Sequence, residues 1–144
     1  MKTARDLLRE KGTQVYATSP DATVYDALQQ MAEKNIGALI VFEGDRMVGL
    51  ISERDYARKI VLKNKFSRET AVSEIMSRDV VTVAPDKNLE ECMEVISEHR
   101  VRHLPVVKED RVLGIISIGD IVKGIIDHKE FIIGQLEYYI KGWR

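Results

Sequence analysis

The chain has 144 residues, of which 44% are hydrophobic and 31% charged, and its 22 basic and 23 acidic residues leave a net charge of −1. These values are ordinary for a globular protein and give no electrostatic indication of binding to nucleic acid or to a membrane surface. The apolar runs are far shorter than the about 20 residues of a membrane helix. The amino terminus does not resemble a signal peptide, and the single cysteine, Cys92, excludes an intramolecular disulfide, so we expect a cytoplasmic protein.

In chain order, a short helix over Thr3–Arg9 and a strand over Val15–Thr18 come first. Apolar residues at i, i+3, i+4 and i+7 then predict a helix with its stripe at Val24, Ala27, Leu28 and Met31. Two apolar runs around a short polar turn predict a β-hairpin, Ala38–Phe42 with Met47–Ile51. A second helix follows, with apolar residues at Tyr56, Ala57, Ile60 and Val61.

The rest of the chain repeats this order. Pro20-Asp21 recurs as Pro85-Asp86, 85 − 20 = 65 residues later, and such a repeat defines the structural unit. The second copy begins with a helical lead-in over Val72–Met76 and a strand over Val80–Val83. A helix with its apolar stripe at Leu89, Cys92, Met93 and Ile96 follows, and then a hairpin of His103–Val107 with Val112–Ile116. The copy ends with a helix whose apolar residues are Ile121, Val122, Ile125 and Ile126.

The predicted fold class is therefore α/β, of the α+β type, with two β-α-β-β-α units and a C-terminal helix. We expect a first domain over residues 1–65, a second over 66–127 and the helix over 128–144. The apolar face of that helix comprises Ile132, Leu136, Tyr139, Ile140 and Trp143. Because one unit cannot cover its own apolar face, we expect the copies to pack with pseudo-two-fold symmetry and to leave clefts where they meet.

A polar signature, G-h-h-S-x-x-D, ends the hairpin of each copy, at Gly49–Asp55 and at Gly114–Asp120. One interpretation is purely structural, because a serine can cap the following helix while the aspartate reaches back to the serine amide. The other is functional. A helix N-terminus suits a phosphate, a carboxylate one turn later can accept bonds from ribose hydroxyls, and a preceding glycine would let a ligand approach the backbone.

The Pro-Asp entry, the apolar helix, the run R-H-L-P-V-V and the closing G-I-I-S-x-x-D-I together resemble a CBS domain, and two in tandem resemble a free-standing CBS pair, or Bateman module. The resemblance spans about Thr3 to Ile126. It implies a regulatory sensor that binds an adenine nucleotide (AMP, ADP, ATP or NAD) in the inter-domain clefts, forms a homodimer and acts on an unknown effector protein.

The same resemblance assigns the candidate nucleotide-binding residues. Asp55 and Asp120 match the aspartate that binds ribose, and Ser52 and Ser117 match the hydroxyl on the phosphate side. The hairpin starts match positions that line the pocket, and the first strand of each copy matches the segment that meets adenine. These segments add Ala38, His103, Leu104, Pro105, Val15, Thr18 and Val80.

The copies differ around the shared serine and aspartate. Arg54 in the first copy offers a guanidinium to a phosphate, or is simply a solvated helix residue. In the second copy Arg102 and His103 offer phosphate contacts, or His103 makes a structural hydrogen bond. Gly119 costs about 1 kcal/mol of helix propensity relative to alanine, which suggests close approach by a ligand. We therefore expect two sites of unequal affinity.

Other functions receive less support. The chain has no Walker A loop, no G-x-G-x-x-G and no H-E-x-x-H motif, and its histidines lack metal-ligand spacing. We therefore expect no catalytic residues, no metal ligands, no required metal and no enzyme activity. Cys92 lies on an apolar stripe and is expected in the core. Two alternatives stay open: a dimerisation module whose signatures are only helix caps, and, more weakly, a single-stranded nucleic-acid binder, which the low aromatic content opposes.

Overall fold

The computed structural model describes residues 1–12 and 14–142, without the side chain of Tyr139. Trp143 and that tyrosine side chain, both assigned above to the C-terminal apolar face, therefore lie outside the described residues. The helices and strands are, in order, α1 Ala4–Lys11, β1 Ala17–Thr18, α2 Val24–Lys34, β2 Ala38–Glu43, β3 Arg46–Ser52, α3 Glu53–Tyr56 with a π-helical turn Ala57–Val61, α4 Val72–Ile75, α5 Leu89–His99, β4 His103–Lys108, β5 Arg111–Ser117 and α6 Ile118–Gly142.

One compact unit consists of Gln14–Val80. Its sheet has the order β1-β2-β3, with β1 parallel and β3 antiparallel to β2. The core joins the apolar stripe of α2 to the hairpin and to α4, through the buried residues Val24, Ala27, Met31, Leu39, Val41, Ile51, Ile60, Val72, Ile75 and Met76. The lead-in helix α4, which precedes the second copy in sequence, thus completes the core of the first hairpin.

The other compact unit joins Met1–Thr13 to Val81–Arg144. Its antiparallel β4-β5 hairpin packs with α5, α6 and α1, through the buried residues Ala4, Leu7, Leu8, Val83, Leu89, Cys92, Ile96, Leu104, Val106, Ile116 and Ile121. Burial raises the pKa of the Cys92 thiol to about 11, so this cysteine is protonated at neutral pH, as a core residue should be. The amino-terminal helix α1 completes the core of the second hairpin.

The strand expected over Val80–Val83 does not form, and only Val83 makes an isolated parallel bridge, to Val106. In the first copy the Ile40 amide donates to the Tyr16 carbonyl, 3.4 Å away, beside the β1–β2 ladder. The matching residue in the second copy is Pro105, which has no N–H to donate. The missing donor explains why the ladder stops at a single bridge.

The C-terminal helix is continuous with the second helix of the second copy, since α6 runs from Ile118 to Gly142 without a break. Its second half is largely exposed, including Phe131, Ile133, Leu136 and Tyr138, which are 63%, 54%, 56% and 79% exposed. None of the helices in the described ranges is both long and apolar enough to cross a membrane.

Candidate ligand site at the Ser-x-x-Asp segments

The two signatures adopt the same local geometry, in which a strand ends on the serine and a helix begins behind it. The Ser52 amide donates to Asp55 Oδ2 at 3.0 Å, and the Asp55 amide donates to Ser52 Oγ at 3.2 Å. The corresponding distances at Ser117 and Asp120 are 2.9 and 3.1 Å. The capping interpretation is therefore correct in both copies, but a carboxylate has two oxygens and this cap occupies only one of them.

The hairpin register fixes which residue faces each serine. Ala38 pairs with Ser52, and His103 pairs with Ser117. The structure thus brings together Ala38, Ser52 and Asp55 in one unit, and His103, Ser117 and Asp120 in the other. The side chain opposite the serine is the main difference between the two groups, a methyl in the first and an imidazole in the second.

The second carboxylate oxygen of Asp55 faces a lysine and a serine. Lys59 Nζ lies 3.3 Å from Asp55 Oδ1 and also donates to the Ile75 carbonyl at 2.9 Å. Ser77 Oγ lies 3.5 Å from the same Oδ1. Both oxygens of Asp55 therefore have partners from its own unit.

Asp120 is held by a different lysine. Lys11 Nζ donates to Asp120 Oδ2 at 2.6 Å and to the Ile115 carbonyl at 3.1 Å. Burial alone would raise the pKa of the Asp120 carboxyl, but the bonds from Lys11 and from the Ser117 amide outweigh it, so the pKa lies below its ordinary value. The Ser117 amide and the Lys11 ammonium meet the same oxygen, Oδ2, and among the contacts described Oδ1 remains for a hydroxyl donor.

The charges of Lys11 and Asp120 both affect the imidazole of His103. Its pKa lies below the ordinary value, mainly because the residue is half-buried, with further lowering by the positive charges of Lys11 and Arg102 and an opposing effect of Asp120. The ring is therefore neutral at neutral pH and offers one donor and one acceptor, rather than a cation for a phosphate. Arg102 itself is exposed.

The remaining candidate residues are spread more widely. Arg54 and Gly119 are exposed on their helices, and Val15, Thr18 and Val80 are half-buried. Thr18 pairs with Val41 in the first sheet. Leu104 is completely buried and Pro105 is buried, so their side chains contribute packing around the site rather than an exposed surface.

The signature glycines have a packing role that the sequence interpretation missed. A β-carbon at Gly49 would lie 2.7 Å from Met76 Sδ and 2.9 Å from the Ser77 carbonyl oxygen, and one at Gly114 would lie 2.5 Å from Leu8 Cδ2. Real β-carbons do not approach other atoms so closely. The interpretation that these glycines admit a ligand is wrong, because the lead-in segment of the same unit already fills that space.

Sequence reasoning missed three residues that contact the aspartates: Lys11, Lys59 and Ser77. Lys11 lies 109 residues from Asp120 in the chain, so no local motif links them. Lys59 follows Asp55 at i+4, a spacing at which a helical ion pair is expected, and this was the available signal.

The tandem arrangement of these signatures matches a known family. The family model for the CBS domain matches residues 4–62 and again residues 72–127. The chain belongs to the CBS-domain family. It is 34% identical over 149 aligned residues, covering 97% of this chain and 72% of the relative, to the mitochondrial CBS domain-containing protein CBSX3 of Arabidopsis thaliana.

Solved structures of CBS proteins share the fold. A putative signal-transduction protein with CBS domains from Burkholderia ambifaria is 45% identical, covers 88% of this chain and 95% of its own, and superposes with a TM-score of 0.84. The CBS domain pair of protein MJ0100, solved with 5′-methylthioadenosine and S-adenosyl-L-methionine, is 25% identical over 86% of this chain and 99% of its own, with a TM-score of 0.76.

A third CBS structure overturns the expectation that no metal is required. Hypoxic response protein I, 30% identical over 86% of this chain and 99% of its own with a TM-score of 0.70, was solved with two coordinated zinc ions. Within residues 1–12 and 14–142, no group of three or more His, Cys, Asp or Glu side chains is placed to hold a metal ion. The sequence argument relied on the absence of a metal-ligand spacing, and a relative of similar fold with two coordinated zinc ions shows that this argument was insufficient.

Proposed function

We propose that this CBS-domain pair is a regulatory module, without enzymatic activity of its own, that binds adenine nucleotides at its two Ser-x-x-Asp segments. The observation that carries the proposal is the repetition of one geometry in both units, with a helix N-terminus, a serine and a carboxylate together. A helix N-terminus favours a phosphate, and a carboxylate favours vicinal hydroxyls. A relative in the same family binds two adenosyl compounds, which supports the ligand class.

Thermal-shift measurements with AMP, ADP, ATP, NAD and S-adenosylmethionine test this proposal, followed by calorimetry on the best ligand. Replacing both Asp55 and Asp120 with alanine should abolish binding. Because each aspartate also caps a helix, the double variant should lose about 1 kcal/mol of stability per cap.

Matched controls separate the lost cap from the lost ligand contact. Glu74 accepts a bond from the Ala71 amide at 2.7 Å at the start of α4, and Glu91 accepts one from the Asn88 amide at 3.3 Å at the start of α5. The Glu74→Ala and Glu91→Ala exchanges therefore remove caps away from the signatures and should retain binding. Undiminished nucleotide affinity in the double aspartate variant would refute the proposal.

We further propose that two copies associate through α6 into a homodimer. One row of positions along this helix, spaced alternately four and three residues apart, is exposed and apolar except for Lys129. The apolar members of the row are Val122, Ile126, Ile133, Leu136 and Ile140. This spacing is typical of a helix that pairs with another helix.

Charge complementarity favours an antiparallel pair of α6 helices. When Ile126 of one copy packs against Leu136 of the other, Lys123 of each copy lies beside Glu137 of the second. In a parallel pair Lys123 and Glu137 would lie at different heights along the seam, and these charges would have no opposite partners in each other. We also propose that the protein is cytoplasmic and that it acts on a separate effector protein.

A further inference from the structure

Each signature aspartate is paired with a lysine, but the two lysines are not equivalent in the repeat. Both lysines belong to the first copy in sequence, and the residues 65 positions later in the second copy are Gly124 for Lys59 and Met76 for Lys11. Asp55 is paired with Lys59, four residues later in the π-helical turn that follows α3, whereas Asp120 is paired with a lysine at the end of α1. Although the sequences differ, each carboxylate has a cation within 3.3 Å.

These lysines affect which ligand can bind. Asp120 Oδ1 can accept one ribose hydroxyl without disturbing Lys11, which bonds Oδ2. If the second, vicinal hydroxyl takes the place of Lys11 at Oδ2, it replaces a charge-assisted bond with a weaker one and leaves an ammonium without a counter-charge. A ligand that also brings a phosphate offers that ammonium a new partner. The lysine can then move from the carboxylate to the phosphate, and the charge balance of the site is kept.

The surroundings of Lys11 permit such a movement. The pair is partly open, with the side chains of Lys11 and Asp120 39% and 29% exposed. A cavity of about 280 Å³ adjoins it, and Leu7, Glu10 and Lys123 line the walls with the pair itself. The ammonium can therefore shift without displacing core side chains.

We propose that Lys11 makes the Asp120 site selective for phosphorylated adenosyl ligands over neutral ones, by leaving Asp120 for the ligand phosphate when the ribose binds. The inference rests on the proposed nucleotide-binding function and adds the ligand charge that this site selects. Lys59 is expected to have the same effect at Asp55.

Calorimetry with AMP and adenosine, which differ only in the phosphate, tests the inference. The Asp55→Ala exchange removes the other proposed site, so that only the Asp120 site remains to be measured. In that background Lys11→Met, which introduces the residue found at the matching position of the other copy, should weaken AMP binding about tenfold while leaving adenosine binding equal or stronger. Lys11→Arg should keep the preference for AMP. The control, Lys123→Met, removes a positive charge from the same cavity wall without touching Asp120 and should leave the ratio of the AMP and adenosine affinities unchanged.

The outcomes are distinguishable. If AMP and adenosine change by the same factor in Lys11→Met, or if Lys123→Met shifts their ratio equally, the role assigned to Lys11 is wrong while the nucleotide site stands. If the protein with Lys11 intact binds neither compound in this background nor any nucleotide in the wild type, the proposed function itself fails, and the inference with it. Melting temperatures of the variants report whether each is folded.

Discussion

At the scale of residues, corresponding positions of the repeat hold different chemistry on one backbone. His103 corresponds to Ala38, and both stand opposite the signature serine. The imidazole adds a titratable group next to Asp120 and Lys11 that the first copy lacks. The two signature segments therefore differ in the titratable groups beside them, although the serine and the aspartate are the same.

The lowered pKa of His103 predicts a contribution to acid sensitivity. The folded state holds this ring neutral below its ordinary pKa of 6.5. The unfolded chain therefore binds the proton more readily, and stability is lost as the pH falls below 6.5 toward the folded-state pKa. One proton can contribute at most about 1.4 kcal/mol per pH unit. The loss from the lowered pKa of Asp120 begins only below its ordinary value of 3.8.

Urea unfolding at pH 7.5 and 5.5 measures this effect. His103→Ala, which introduces the residue of the first copy, should show a smaller loss of stability between the two pH values than the wild type. Equal losses in the two proteins would show that His103 does not couple folding to protons in this range.

At the scale of elements, the two hairpins share a register but not a turn. Each carries an irregularity at the corresponding place, between Val41 and Phe42 and between Val106 and Val107. The first turn places a glycine at φ 63°, at Gly44, whereas the second places Glu109 and Asp110 at φ 51° and 62°. A residue with a β-carbon is disfavoured in this region, so the second turn is the strained one.

Replacing Glu109 with glycine should therefore stabilise the protein by about 1 kcal/mol, because it removes the strain of a left-handed glutamate. The midpoint of chemical unfolding measures the change. Lys108→Gly is the control, since it places a glycine in the adjacent strand and should lower stability by about 0.5–1 kcal/mol. A decrease in stability of the Glu109→Gly protein would contradict the assignment of strain.

At the scale of the whole molecule, α6 presents an apolar face that the described part of the chain does not cover. Ile133, Leu136 and Ile140 are 54%, 56% and 62% exposed. Isolated exposed apolar residues are normal, but a row of them along one helix indicates an interaction surface. The proposed antiparallel pairing of α6 would bury this row.

Ile133→Glu places a charge in the middle of that row and should convert the proposed dimer to a monomer, as measured by light scattering after size-exclusion chromatography. Gln135→Glu introduces the same charge away from the row and should leave the dimer intact. A wild-type protein that is monomeric at micromolar concentration, or an Ile133→Glu protein that remains dimeric, would rule out the α6 interface.

The sequence by itself determined the repeat, the order of helices and strands apart from the strand predicted over Val80–Val83, and the positions of both signatures. These features depend on local periodicity and on the spacing of turn and cap residues, which a single segment contains. The hairpins of both copies formed as predicted, and so did both capped helix starts. Ser52, Asp55, Ser117 and Asp120 could therefore be named in advance.

Only the tertiary structure decided what surrounds the aspartates. Lys11 reaches Asp120 because α1 packs in the unit of the second hairpin, and Ser77 reaches Asp55 because the segment around α4 packs in the unit of the first. The same packing fills the space beside Gly49 and Gly114. Contacts between segments far apart in the chain follow from how apolar faces are buried, and no local pattern records which segment will cover which face.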